Sequence, residues 1–146
     1  MTADARLPHP LRGAAMAVAV AFLLVGVLGF VPGLTTHLDE ITFAGPGSGA
    51  HLLGVFHVSV LHNLVHLLFG AVGLAMARGA SSARAYLVGG GAVYLVLWLY
   101  GLVVDKASSA NFVPLNDADD WLHLGLGLGM VALGLALKGN PNARSA

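Results

Sequence analysis

The chain has 146 residues, of which 57% are hydrophobic and only 10% carry a charge. An ordinary soluble domain has roughly 25% charged residues, so this composition excludes a water-facing surface over most of the protein and predicts contact with lipid. The formal net charge is zero, and no basic stretch indicates nucleic-acid binding. Cysteine is absent, which excludes disulfides, thiolate catalysis and cysteine-ligated metal sites. Histidine, with seven copies, is the unusual component.

Four apolar stretches are each long enough to cross a bilayer core of about 30 Å as a helix, which needs roughly 20 residues. In chain order they cover residues 13–31, 52–77, 85–104 and 121–137. Pro32 and Gly33 end the first stretch, since proline cannot continue a helix. This stretch also resembles the apolar part of a signal peptide, but no small-residue cleavage site follows it, and we expect it to be retained. The sequence therefore predicts one all-α domain over residues 1–146, an antiparallel bundle of four transmembrane helices.

Basic residues predict the orientation, because lysine and arginine favour the cytoplasmic side of short connections. All but one of the seven basic residues lie in the two tails or in the second connection: Arg6, Arg12, Arg78, Arg84, Lys138 and Arg144. The third connection has Lys106 among several aspartates, and the first has no basic residue. The pattern predicts a multi-pass protein of the bacterial plasma membrane with both termini in the cytoplasm.

Glycines within the predicted spans indicate close helix packing, because small residues let helix backbones approach each other. We expect Gly70, Gly73, Gly125 and Gly129 to face neighbouring helices, the last two as a G-x-x-x-G pair. Packing within one chain is favoured, and pairing of two copies of the chain is the alternative.

Polar side chains inside the second span are the first part of a candidate site. His62 and His66 are four residues apart and therefore share one face of a helix. Ser59 lies on the same face, and Asn63 lies on the adjoining flank. Ionisable and polar groups within a membrane span are costly, so they mark a functional site or a structural polar network.

A histidine of the fourth span is predicted at the same depth. Counted at about 1.5 Å per residue from the basic residues that end each span, His66, His62 and His123 lie about 18, 24 and 22 Å above the inner boundary. Asp119 and Asp120 lie just above His123. We expect His62 or His66 to approach His123 across the interface between the second and fourth spans.

Several chemistries fit such a cluster. His62, His66 and His123 could hold a transition metal ion, because imidazole is a ligand for copper, zinc, iron and nickel. One histidine from each helix could instead ligate a haem iron, or the cluster could relay protons. The plain alternative is a hydrogen-bonded network that ties the helices together. The cofactor, a transition metal or haem if any, is left open.

The remaining charged residues do not indicate a functional site. The acidic run from Asp117 to Asp120 is typical of a helix start, and we expect Asp117 or Asp119 to cap the fourth span. We expect Asp105 and Lys106 to be ordinary surface charges. The sequence has no hydrolase, phosphate-binding or zinc-protease motif, so we do not expect an enzyme.

Two segments resemble each other, LVHLLFG at 64–70 and WLHLGLG at 121–127. Each contains a histidine with a polar residue three positions before it. The tripeptide FVP also occurs twice, at 30–32 and 112–114, but at a different distance from the histidine. A duplication would make the two halves parallel repeats, because the first and third spans run in the same direction.

Four stretches of the chain carry a family resemblance, and they cover all four predicted spans: LLVGVLGFVPG, LLGVFHVSVLHNLVHLLFG, YLVLWLYGLVVD and NFVPLNDADDWLHLGLG. With these stretches the chain resembles the small four-span bacterial membrane proteins of domain of unknown function 4383. The resemblance implies membrane localisation and a four-helix architecture, and it brings no established activity or ligand.

The leading functional hypothesis is a non-enzymatic integral membrane protein built around the His/Asn/Asp network. In this role it would act as a scaffold or as an accessory subunit of a larger membrane complex. The alternatives are a metal- or haem-binding redox component and a path for protons or a small solute. The expected partners are the lipid bilayer and either other membrane proteins or a second copy of the chain.

Overall fold

The computed structural model of the chain describes residues 9–137. Most of these residues belong to four α-helices: α1 (Pro10–Leu28), α2 (Val60–Met76), α3 (Ala80–Val103) and α4 (Asp117–Ala136). Within the described range, α1 and α3 are long and apolar enough to cross a membrane, and α2 is a shorter apolar helix. The prediction of a mostly helical protein with four helices is confirmed, with two of them candidate spans. Arg6, Lys138 and Arg144, which contributed to the predicted orientation, lie outside the described residues.

A small antiparallel sheet lies in the connection between α1 and α2. Its strands, in the spatial order β1-β2-β3, are β1 (Thr35–Thr36), β2 (His51–Leu52) and β3 (Phe56–His57). The purely all-α prediction is therefore wrong in this connection. The predicted start of the second span at Leu52 is wrong as well, because this apolar segment forms a strand, a turn and a second strand before the helix begins.

Backbone geometry explains why α2 begins only at Val60. Leu53 and Gly54 have positive φ angles of 53° and 70°, a conformation that a right-handed helix excludes. Ser59 then forms the N-cap of α2, where its Oγ accepts a hydrogen bond from the backbone N of His62 at 3.1 Å. This bond satisfies one of the free N–H groups of the first helical turn.

The four helices pair as two antiparallel hairpins, α1 with α2 and α3 with α4, and the hairpins meet chiefly along α1 and α3. In the first hairpin, Gly70 of α2 faces Ala19 of α1, and a Cβ on Gly70 would lie 2.8 Å from the Ala19 carbonyl oxygen. In the second hairpin, Gly127 of α4 faces Gly91 of α3, and a Cβ on Gly127 would lie 3.0 Å from the Gly91 carbonyl oxygen. Each hairpin thus depends on close backbone approach at a small residue.

The two hairpins are built alike, with equivalent residues at a constant offset within each pair of helices. Phe22 of α1 corresponds to Tyr94 of α3, and the two rings stack with their centroids 5.2 Å apart. His66 of α2 corresponds to His123 of α4. The His66 ring lies 5.6 Å from the Phe22 ring, and the His123 ring lies 5.2 Å from the Tyr94 ring. The stacked aromatic pair therefore lies where the hairpins meet, and each of its rings contacts one histidine.

The hairpins also end alike. Arg12 of α1 donates a hydrogen bond to the carbonyl oxygen of Ala77 at 3.0 Å, and Arg84 of α3 donates one to Leu137 at 2.8 Å. The two arginines occupy corresponding positions, and each bonds a carbonyl at the end of the adjacent helix. The two FVP tripeptides do not correspond, since one follows α1 and the other precedes α4. The correspondence between the two halves of the chain therefore lies in the helices and not in the FVP tripeptides.

The four glycines predicted at helix contacts fall into two pairs. Gly70 and Gly73 are buried, and a Cβ on Gly73 would lie 2.7 Å from a side-chain carbon of α1. Gly125 and Gly129 are exposed, and a Cβ on either would meet nothing within 4 Å. For Gly125 and Gly129 the prediction is wrong, because residues two apart in a helix point in nearly opposite directions, and Gly127 is the one that faces α3.

Replacing Gly70 with alanine should lower the melting temperature of the purified protein in detergent. The added methyl group would press on α1, and overpacking costs about 1–3 kcal/mol. Gly125→Ala is the matched control, because its methyl group meets open space and alanine has the higher helix propensity. We expect the control to melt at or above the wild-type temperature. Equal melting temperatures for the two variants would contradict this packing.

Candidate functional site

Three predicted site residues, His62, His66 and His123, come together at a cavity among α1, α2, α4 and the small sheet. The cavity has a volume of about 240 Å³, and its other lining residues are Asp119 and apolar side chains. The same three histidines also line a second cavity of about 70 Å³. They therefore form a common wall of both cavities.

The rings of His62 and His66 are buried, and their centroids lie 4.2 Å apart. His66 Nδ1 lies 3.0 Å from the backbone oxygen of His62. A carbonyl oxygen only accepts hydrogen bonds, so Nδ1 carries the proton. His62 Nδ1 donates in the same way to Oδ1 of Asn63 at 3.3 Å. The Nε2 atom of each ring is thus a hydrogen-bond acceptor, and neither has a partner among the described residues.

His123 also lines both cavities, but its ring differs from those of His62 and His66 in its hydrogen bonding. Its Nδ1 is buried and has no hydrogen-bond partner within residues 9–137. The ring makes an edge contact with Tyr94. Because no hydrogen bond fixes its tautomer, His123 can offer the cavity either a donor or an acceptor.

Asn63 and Asp120 pack against glycines of the adjacent segment, Gly29 just after α1 and Gly101 within α3. A Cβ on Gly29 would overlap the Asn63 amide, and a Cβ on Gly101 would overlap the Asp120 carboxylate. These two contacts occupy corresponding positions in the two hairpins. Among the predicted polar residues of α2, His62 bonds to Asn63, and its backbone groups bond to Ser59 and to His66. No side-chain hydrogen bond joins these residues to His123 or Asp120 among the described residues.

Asp120 forms an ion pair with Lys106, whose Nζ lies 2.6 Å from Oδ2 of the aspartate. The Asp120 side chain is only 7% exposed, whereas the Lys106 side chain is 32% exposed. The expectation that Lys106 is an ordinary surface charge is wrong. A lysine shortly after α3 can reach a carboxylate in the first turn of α4, because the two helices are antiparallel neighbours.

Ser59 and Asp119 act at helix starts. In α4 the N-cap is Asn116, not Asp117 or Asp119, and Ser59 holds the corresponding position before α2. Asn116 Oδ1 accepts from the Asp119 backbone N at 2.9 Å, and Asp119 Oδ2 accepts from the Asn116 backbone N at 3.0 Å. Asp119 Oδ2 also accepts from the backbone N of His57 at 3.1 Å, which joins α4 to the sheet. This reciprocal pair is a capping box, which the Asn-x-x-Asp spacing could have indicated.

The sheet has its own histidine pair outside the helices. The rings of His51 and His57 stack with their centroids 4.9 Å apart, and His57 Nε2 donates to the Ser48 carbonyl oxygen at 2.6 Å. Burial lowers the pKa of His57 below the ordinary histidine value, so this ring is neutral at pH 7.

The predicted metal or haem site is not supported by this arrangement. In the described part of the chain, no group of three or more His, Asp or Glu side chains is placed to hold a metal ion. The His66 ring packs on Phe22, and the His123 ring packs on Tyr94. The larger cavity, at about 240 Å³, is also below the roughly 300–1,000 Å³ of small-molecule pockets, which leaves no room for a haem.

Lys106→Met should strongly destabilise the protein, because it leaves the buried Asp120 carboxylate without its cation. Breaking a buried pair from one side costs about 3–5 kcal/mol, and the partial exposure of Lys106 places the expected loss near the lower end. The double variant Lys106→Met, Asp120→Asn should recover most of the stability in thermal unfolding, since asparagine is the residue at the corresponding position 63. The exposed Asp105→Asn serves as a control with little effect. A double variant as unstable as Lys106→Met would contradict the assignment.

The comparisons with known proteins give one family. The family model described as Domain of unknown function (DUF4383) matches residues 12–136. No match is found among curated proteins or among solved structures. The matched region contains nearly all of the four helices together with the small sheet and the three cavity histidines, and it confirms the family resemblance seen in the sequence. The chain belongs to the DUF4383 family.

Proposed function

We propose that the protein is a non-catalytic protein of the bacterial plasma membrane that crosses the bilayer four times and serves as a scaffold or accessory subunit of a larger membrane complex. The observation that carries this proposal is the distribution of side chains between the inside and the outside of the helix bundle. Large apolar side chains face outward on all four helices, and polar side chains are buried between them.

The outward faces of the helices are apolar. Val20 and Leu24 of α1, Leu68 of α2, Val96 of α3 and Leu135 of α4 are 43–66% exposed. Soluble proteins rarely expose contiguous apolar patches larger than a few hundred Å². Lipid is the solvent that such an exterior favours, whereas the buried side chains include Asn63 at 0% and His62 at 4% exposure.

The lengths of α2 and α4, the two helices not counted as candidate spans, also fit a membrane. Helices α2 and α4 have 17 and 20 residues, which correspond to about 26 and 30 Å at 1.5 Å per residue. A bilayer hydrocarbon core is about 30 Å thick. The aspartates of α4 all lie in its first turn, so they can remain at the membrane boundary while the rest of the helix crosses it.

Charge divides the two ends of the bundle. Arg12, Arg78 and Arg84 lie at the end where α1 and α3 begin and α2 ends. The opposite end carries the sheet and most of the acidic residues, and Lys106 there is paired with Asp120. Because arginine favours the cytoplasmic side, this asymmetry supports a cytoplasmic location for both termini.

A structural role is favoured over the redox and transport alternatives. The polar side chains cap helices, pack on glycines or line the two cavities, and no described cluster is arranged to hold a metal ion. Toward the arginine-rich end, the core beyond the histidines consists largely of apolar and aromatic side chains, including Leu11, Ala15 and Tyr86. A proton or solute path would need polar groups there.

Reporter fusions test the orientation. A reporter that is active only in the cytoplasm should be active when fused to either terminus, and a reporter active only outside should be active in the loop between Thr35 and Gly49. Fusions to a membrane protein of known topology provide the control. Cytoplasmic activity from the loop would contradict the proposed orientation.

Purification in mild detergent tests the accessory role. The preparation should be colourless, free of stoichiometric transition metal, and larger than the 14.9 kDa chain because other membrane proteins remain bound. A harsher detergent should release the single chain, which provides the size control. A preparation that contains only this chain would contradict the accessory role. Haem or metal that is lost on acidification would support the redox alternative instead.

A further inference from the structure

The larger cavity offers hydrogen-bonding atoms that the fold itself does not use. Nε2 of His62 and Nε2 of His66 are acceptors without partners among the described residues, and His123 can act as either donor or acceptor. We infer that this cavity binds a small neutral phenol, a single aromatic ring whose hydroxyl group bonds to the histidines. The inference does not depend on the proposed accessory role.

A hydroxyl group matches the nitrogens at the cavity wall. It has one donor and two acceptor lone pairs, so it can donate to Nε2 of His62 or His66 while it accepts from His123. A ligand with acceptors alone would leave both fixed histidine nitrogens unpaired. Buried acceptors without partners cost free energy, so ligands that carry a donor are favoured.

The charges around the cavity favour a neutral ligand. Asp119 contributes a carboxylate to the wall, and this carboxylate accepts hydrogen bonds from the backbone N–H groups of Asn116 and His57. The cavity wall contains no lysine or arginine among the described residues, and Lys106 is paired with Asp120. An anionic ligand would therefore find no cation in the wall to offset the cost of burial.

The size and the apolar side of the cavity favour a single ring. A dry cavity of about 150 Å³ can hold benzene, and this cavity of about 240 Å³ has room for one ring with a short substituent. Val25, Leu28, Leu52 and Phe56 line its apolar side. Phe56 can pack against an aromatic ring of the ligand, because an aromatic pair is stabilised by more than the burial of its apolar area.

The ligand can enter from the surface of the protein. Two residues that line the cavity, Leu53 and Leu122, are 62% and 39% exposed. The rim of the cavity therefore reaches the exterior, where an apolar phenol would be concentrated if that exterior is lipid.

Titration of the detergent-solubilised full chain with 4-ethylphenol tests the inference, with 4-ethylanisole as the matched ligand that lacks the hydroxyl proton. Binding is followed by the ¹⁵N signals of the histidine rings. We expect saturable binding of the phenol, about tenfold tighter than binding of the anisole, as expected for one hydrogen bond. The phenol should shift the Nε2 signals of His62 or His66.

Two pairs of variants locate the site. Leu122→Trp should fill the cavity and abolish phenol binding, whereas Leu128→Trp, on an exposed part of the same helix outside the cavity, should leave it unchanged. Replacing the histidine whose Nε2 signal shifts, His62 or His66, with phenylalanine should remove the preference for phenol over anisole, and His51→Phe, in the sheet, should keep it.

Three results would overturn the inference. Equal affinity for the two ligands would show an apolar cavity without recognition of the hydroxyl. Equal losses in Leu122→Trp and Leu128→Trp, or no saturable binding at all, would show partition of the phenol into the detergent. The two tryptophan variants keep the test valid if the histidine variant fails to fold.

Discussion

In each hairpin a polar side chain lies directly on a glycine of the adjacent segment, Asn63 on Gly29 at the end of α1 and Asp120 on Gly101 within α3. In the proposed membrane location, lipid gives helices no hydrophobic reason to associate, so close backbone approach and buried polar contacts would hold them together. Asn63 and Asp120 also mark the face of α2 and of α4 that meets the neighbouring helix. His66 and His123 follow three residues later on nearly the same face, which brings them against Phe22 and Tyr94.

The two contacts differ in charge, and the structure compensates for the difference locally. Asn63 is neutral and bonds to His62, whereas Asp120 is acidic and takes Lys106 as its partner. The positions beside them differ as well, since His62 reaches the cavity as a ring and Asp119 reaches it as a carboxylate. The two hairpins thus share one backbone arrangement, but one lines the cavity with an imidazole where the other lines it with a carboxyl group.

The number of helices could be predicted because long apolar runs are a strong signal, whereas details that depend on local backbone angles could not. Hydropathy does not reveal the positive φ angles of Leu53 and Gly54, so the helical prediction began too early. Counting along the helices placed the three histidines at similar depth. It could not tell which way each helix is turned, and for that reason Gly129 was predicted at a contact although it is exposed.

The stacked pair of Phe22 and Tyr94 indicates how such a fold could have arisen. If one ancestral hairpin had formed a symmetric dimer, a residue on the dimer axis would have had to pack against its own copy. Any mutation there would have appeared on both sides at once. Fusion of two such hairpins into one gene removes that restriction, because each half can then change alone. The fused chain can keep the packing of the symmetric ancestor while its cavity acquires two unlike walls.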